Sequence, residues 1–324
     1  MSDSQKPYIG IDLGGTNIGA GIVTTEGKLL ADDKVKTKAQ NGSDTVIKRI
    51  TKVIEKIVDQ ANLKMDDIAG IGIGAPGAIN IKDGVVMEAV NLRWNNYPLA
   101  KILSKETHLP VILDNDVNVG TWGEFKIGGG KNTHNMLGIF IGTGIGGGLI
   151  LHNHLYYGHH MTAGEIGHTL VKADGSLGRR TLENLASRTS IAQVLAKLIQ
   201  SNHASIISKL TEGDLTKIRS RVIGEAFKQN DKLTKIVIGD AAKYVGIAIA
   251  NTVTLLSLPH VVLGGGLTEA LGEPWVKMVH EHYENHVFPH GHECNIVASQ
   301  LGDHAGVIGA GLLAHHRLTE GHKI

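Results

Sequence analysis

The chain has 324 residues, 32 Lys plus Arg against 31 Asp plus Glu, a formal charge of +1 and one cysteine, Cys294. That length suggests two domains of roughly 150 residues each, and the balanced charge gives no electrostatic footprint for nucleic acid or an anionic membrane. A single cysteine excludes an internal disulfide, and MSDSQKPYIG lacks a basic region followed by an apolar one, so a cytoplasmic protein with small-molecule partners is expected.

From Tyr8, YIGIDLGGTNIGAGIVTTEGKLLADDKV reads as three apolar runs divided by a glycine turn and by Glu26-Gly27, a three-strand meander. Val46, Ile47, Ile50, Val53, Ile54, Ile57 and Val58 then recur at helical spacing over residues 44–61, ahead of a short strand in IAGIGIGAPG. A meander followed by helix and strand means α/β. A second strand, glycine turn and strand stand at GIFIGTGIGGGLIL, residues 138–151. Laid on GIDLGGTNIGAGIV at an offset of 128 residues, its Gly138, Ile139, Gly142, Gly147 and Ile150 match Gly10, Ile11, Gly14, Gly19 and Ile22, which suggests a duplicated unit. Residues 181–258 are mostly helical, with amphipathic segments at 191–199 and 239–258. The apolar run 246–258 is shorter than the ~20 residues that span a bilayer and reads as a buried helix. A strand, HVVLGGG, a helix from Leu267 and a small-residue helix, DHAGVIGAGLLAHH, complete the chain. The duplication and the KIGGGKN turn put a boundary near residues 120–130. A small domain of residues 1–120, with the C-terminal helix of 305–324 packed on it, and a large domain of 121–304 are expected.

Gly142, Gly144 and Gly147 spell G-x-G-x-x-G, but a dinucleotide fingerprint needs a helix after the last glycine and an acid about 20 residues on, at the end of the next strand. Here LILHNHLYYG continues as a strand, and the nearest acid, Glu165, lies in TAGEIGH. The stretch reads instead as a hairpin whose peptide N–H groups form a nest for phosphate. Two such hairpins across a cleft would hold the polyphosphate of a nucleotide, with Thr16, Asn17 and Thr143 adding hydrogen bonds. A third glycine turn, residues 264–266, would pass under adenine or ribose. By itself LDNDVN reads as a polar turn after the strand PVILDN, and the histidines of residues 280–294 read as a solvated helix and loop, although His282 and His286 would share a helix face.

Taken in order, DLGGTN (12–17), GAPG (74–77), NDVN (115–118), GTGIGGG (142–148), AGEIGH (163–168) and VVLGGGL resemble the ROK family of sugar kinases and repressors, its glucokinase branch above all. NLRWNNYPLAKIL also resembles that branch. The resemblance implies the actin-like ATPase, hexokinase-type fold, two α/β domains with a cleft between them that closes over sugar and ATP. It implies ATP-dependent phosphorylation of a hexose, glucose to glucose 6-phosphate first, with N-acetylhexosamine, mannose or fructose kinases, a polyphosphate donor or a non-catalytic sugar-binding regulator as alternatives. Asp116 would be the general base, with Asp114 its competitor. Gly77, Asn115, Glu165, His168 and Glu183 would meet the sugar. Asp12, acting through water on Mg²⁺, with Gly14, Gly15, Thr16, Asn17, Gly142, Thr143, Gly144, Gly265 and Gly266, would meet ATP. A homodimer is implied as well. The family's repressors carry an N-terminal helix-turn-helix domain, for which a DLGGTN beginning at residue 12 leaves no room. The sequence departs from the family where HTLVKADGSLGRRTLEN replaces C-x-C-G-x-x-G-C-x-E, so no structural zinc is expected: a lone histidine cannot hold it. A hydrogen bond from Glu183 or a loop group is expected to orient His168 instead.

Overall fold

The computed structural model describes residues 6–321. Strands β1 (Tyr8–Leu13) and β2 (Asn17–Val23) pair antiparallel, Asp12 opposite Gly19, and β3 (Leu29–Lys36) closes the edge with alternate residues exposed. Helix α1 (Ser43–Gln60) buries the seven apolar residues read from its spacing and delivers the chain to β4 (Gly70–Ala75), parallel to β1. A small sheet of β5 (Ala78–Asn80), β6 (Val85–Ala89) and β7 (Trp94–Tyr97) follows. Then α2 (Leu99–Thr107) leads to β8 (Val111–Asn115), parallel to β4. The first large sheet runs β3-β2-β1-β4-β8.

Helix α3 (Asp116–Ile127) leads into the second set, β9 (Met136–Ile141), β10 (Ile145–Leu151) and β11 (His154–Leu155). Five helices intervene: α4 (Leu182–Ala186), α5 (Arg188–Gln200), α6 (Ile207–Leu210), α7 (Ser220–Lys228) and α8 (Lys232–Leu256). Next come β12 (His260–Gly264), α9 (Gly266–Leu271), α10 (Glu273–Glu284), β13 (Asn295–Ala298) and α11 (Ala305–Glu320). The second sheet runs β11-β10-β9-β12-β13. It repeats the first: β1 and β2, shifted by 128 residues, coincide with β9 and β10 end to end, and two parallel strands follow the hairpin in both sheets. Helix α8 has the length and composition to cross a bilayer, but more than half of its most apolar window is buried, and it forms the middle of the second core.

Two helices lie between the sheets. Helix α11 packs on β1, β4 and α3, while α3 packs on β9 and β10. Glycine permits this closeness: a Cβ on Gly10 or Gly72 would overlap the Val307 or Ala310 carbonyl of α11, and one on Gly309 would overlap the Val119 carbonyl of α3. A division at residue 120 falls inside α3, whose Trp122 and Phe125 join Val119 in the first core. At the other end of α3, the fully buried Glu124 carboxylate accepts from Gly129 N (2.7 Å), Leu301 N (2.9 Å), Gln300 N (3.2 Å) and the Ser299 hydroxyl. It thereby ties α3 to the loop that feeds α11, and its buried charge is satisfied.

Because Gly72 faces backbone rather than a movable side chain, Gly72→Ala should cost at least about 1–3 kcal/mol through overpacking and lower the thermal midpoint by several degrees in a circular dichroism melt. Gly239→Ala in α8, where nothing stands within 4 Å, should leave the midpoint unchanged or raise it.

Candidate active site

The segment LDNDVN is a strand end and a helix start. Asn115 caps α3, its Oδ1 accepting from Val117 N (2.9 Å) and Asn118 N (3.3 Å), while its Nδ2 donates to Gly77 O (3.3 Å). Gly77 holds a left-handed φ of 94° and abuts the backbone of Glu88, so glycine is required there. The two aspartates on either side of the cap have different surroundings. Asp114 has no exposure, and its carboxylate accepts from Tyr157 Oη (2.6 Å), Asn115 N (2.7 Å), Asn118 Nδ2 (3.0 Å) and the Arg317 guanidinium. So enclosed, it cannot reach a substrate.

Asp116 retains access to solvent from deep in the fold, where burial, then the Asp12 charge, and further the Glu165 charge push its pKa up to about 7. Asp12, at the end of β1, is raised to about 6, mainly by burial, with Lys34 opposing and Asp303 adding to the rise. A side chain at Gly306, in the first turn of α11, would meet the Asp12 carboxylate at 2.9 Å. The charges of Asp12 and Glu165 thus both reach Asp116.

Both glycine hairpins are braced from behind. In the first, Gly14 N donates to Asn17 O (2.9 Å), and Thr37 holds Gly14 O through its hydroxyl (2.6 Å) and Thr16 O through its N–H (2.9 Å), leaving Thr16 exposed and Gly15 against Asn91. In the second, Gly142 N donates to Gly144 O (2.9 Å), and nothing stands within 4 Å of the face of Gly142. Glu183 Oε2 accepts from Ile145 N (2.8 Å), so this acid is engaged with the hairpin. Arg188 N donates to Gly142 O (3.0 Å), its guanidinium donates to Thr143 Oγ1 (2.8 Å), and the Thr189 hydroxyl donates to Thr143 O (2.7 Å). The third turn adjoins the second: Gly265, with φ 86°, leaves no room for a Cβ against the backbone of Ile141, and Gly266 opens α9.

Glu165 precedes and His168 ends a 3₁₀ turn (Ile166–His168), and both are exposed. The hydrogen bond expected to orient the His168 ring is absent among the described residues. Glu183 is committed to Ile145, and the segment between Leu170 and Thr181 pairs with itself, Val171 N donating to Arg180 O (3.0 Å). At residues 280–294, His286 Nδ1 bonds His282 O (2.7 Å) and His280 faces Glu284; among the described residues no three His, Cys, Asp or Glu gather as metal ligands. Burial pushes the Cys294 thiol up to about 12, which makes it inert. Sequence reasoning missed Arg188, Arg219, Thr37, Tyr157 and Arg317, none of which stands in a recognisable spacing.

Two sheets of one strand order, each opened by a glycine hairpin, with paired helices and an acidic group between them, define the actin-like, hexokinase-type fold. The chain belongs to the ROK family, whose family model matches residues 8–317. It is 34% identical over 318 residues to a glucokinase of Halalkalibacterium halodurans, covering 96% of this chain and 95% of that one. It is 31% identical over 309 residues to a xylose repressor of Caldicellulosiruptor bescii, covering 93% of this chain and 76% of the repressor. The crystal structure of a ROK family glucokinase from Streptomyces griseus in complex with glucose and AMPPNP superposes with a TM-score of 0.84 at 29% identity, covering 95% of this chain and 98% of that one.

The two aspartates should respond oppositely to amide substitution. Asp114→Asn leaves Arg317 buried without its counter-charge and should cost about 3–5 kcal/mol in urea unfolding. Asp116 binds its proton more tightly folded than unfolded, so between about pH 4 and 7 its contribution to stability falls as pH rises. Asp116→Asn should therefore gain on the wild type in urea midpoint from pH 5 to pH 8; a gap that is flat or narrows over this range would contradict the buried carboxylate.

Proposed function

We propose that this protein is an ATP-dependent sugar kinase that transfers a phosphoryl group to a hexose, glucose first, with Asp116 as the general base. The observation that carries the reading is the placement of Asp116: it follows the Asn115 cap at the start of α3, keeps access to solvent while Asp114 is sealed, and feels the charges of Asp12 and Glu165. A base with a pKa near the working pH takes up the hydroxyl proton most effectively as the acceptor oxygen attacks phosphorus. The sugar oxygen bonds to the terminal phosphorus, the bridging P–O bond breaks toward ADP, and the hydroxyl proton passes to Asp116. Gly14, Gly15, Thr16 and Asn17 on one side and Gly142, Thr143, Gly144, Gly265 and Gly266 on the other are the proposed ATP contacts. The open face of Gly142 supports this assignment.

Mg²⁺ suits the donor set present: Asp12 is a half-buried carboxylate whose charge reaches Asp116, and two such charges are relieved by a divalent cation. When bound with ATP, Mg²⁺ supplies charge neutralisation and alignment of the phosphates. Glu165 and His168 are the proposed partners of the sugar hydroxyls, with Asn115 and Gly77 shaping the floor and Glu183 acting through the hairpin it holds. We further infer two lobes, the first ending beyond α3 and including α11, in a cytoplasmic homodimer that needs no zinc. The repressor relative supports a second reading, a sugar-binding regulator without catalysis.

An ADP-release assay over glucose, mannose, fructose, N-acetylglucosamine and N-acetylmannosamine, with ATP or inorganic polyphosphate, separates the two. Glucose with ATP should give the highest kcat/KM, and turnover on no sugar would favour the regulator. Asp116→Asn should lower kcat by about 10²–10⁴-fold and leave glucose binding nearly unchanged; a variant with wild-type kcat would exclude Asp116 as the base. Because the base must be ionised, wild-type kcat/KM should rise with pH and level off above about 7. A zinc-selective chelator with Mg²⁺ in excess should leave activity intact.

A further inference from the structure

The wall formed by the second and third glycine turns carries two cations with no part in the chemistry above. Arg188 opens α5 and extends its guanidinium over the second hairpin to the Thr143 hydroxyl, while its own peptide N–H holds Gly142 O. Arg219 immediately precedes α7, and the next residue, Ser220, reaches within 3.4 Å of where a side chain on Gly266 would begin. The Arg219 charge is felt at Arg188, whose guanidinium pKa is lowered by burial first and by Arg219 second. Among the described residues neither arginine makes an ion pair. Arg219 is exposed and Arg188 half-buried, so water screens their repulsion, and what remains of it favours an anion that joins them. The space beside them is open at Gly142, where nothing stands within 4 Å of the position a side chain would take.

We propose that Arg188 and Arg219 form a cationic clamp for a polyphosphate chain, with Arg188 held in register by Thr143. The guanidinium fork matches phosphate oxygens two at a time, and the hydrogen bond to Thr143 leaves its remaining donors free for that purpose. This assignment rests on the kinase reading and adds the side chains that grip the phosphoryl donor.

The test titrates the full chain, in Mg²⁺ buffer, with AMPPNP, adenosine and inorganic tripolyphosphate, comparing wild type with Arg188→Gln, Arg188→Lys and Arg219→Gln. Each glutamine variant should weaken AMPPNP binding by about 10- to 100-fold, with adenosine and glucose binding within about two-fold of wild type and part of the loss restored by lysine. The salt dependence of AMPPNP binding should also flatten. Unchanged AMPPNP affinity in both glutamine variants overturns the clamp. So does an equal loss for adenosine, which would mean a collapsed hairpin. Tripolyphosphate that shows the same arginine dependence assigns the clamp to phosphate chains in general, and dependence confined to AMPPNP assigns it to a nucleotide donor. Arginine-dependent AMPPNP binding in a wild type that phosphorylates no sugar would reject the kinase reading and leave the clamp in place.

Discussion

The position of Asp116 depends on a carboxylate two residues earlier. Asp114 is sealed from solvent and shared among Arg317 of α11, Tyr157 beyond β11, Asn118 of α3 and the backbone of Asn115. A buried charge with partners on four segments sets the end of β8, the start of α3 and the seat of the C-terminal helix together. The adjoining Asn115 cap starts α3, and the next aspartate, outside that enclosure, keeps access to solvent. Enclosure of one acid and exposure of the other are two results of the same turn.

The paired helices extend this control over the molecule. Helix α11 lies at backbone distance from the first sheet and from α3, and Glu124 joins the far end of α3 to the loop before α11. Each sheet therefore presents its glycine hairpin from a frame fixed to the same helix pair. Charge is divided across that frame. At Asp116, burial first and then the charges of Asp12 and Glu165 raise the proton affinity; Arg188 and Arg219 stand by the second and third glycine turns. A phosphoryl donor bridging the two sides would meet cations along its length and a proton acceptor at its end.

Much of this organisation was legible in the sequence because it rests on backbone geometry. Strand hairpins demand glycine at recurring positions, so the 128-residue offset appears in the letters and again in the strand bounds. The α1 stripe was legible because burial on one face enforces its period. Family resemblance favoured Asp116 over Asp114 as the base, but the residues themselves did not show which aspartate is enclosed; the partners that decide it, Tyr157 and Arg317, lie 43 and 203 residues away. Glu183 could be aligned to a motif but not to the peptide N–H it meets on Ile145, and the free ring of His168 reflects a loop that pairs with itself. Helix α3 faces both sheets, so no change of composition along it marks where a boundary near residues 120–130 would fall.

The most direct measurement of the central claim is a crystal structure of the chain with glucose and AMPPNP. The account predicts a carboxylate oxygen of Asp116 within about 2.6–3.2 Å of the glucose hydroxyl that lies in line with the terminal phosphorus. A complex in which that hydroxyl is held by another group, with Asp116 turned away from it, would contradict the account.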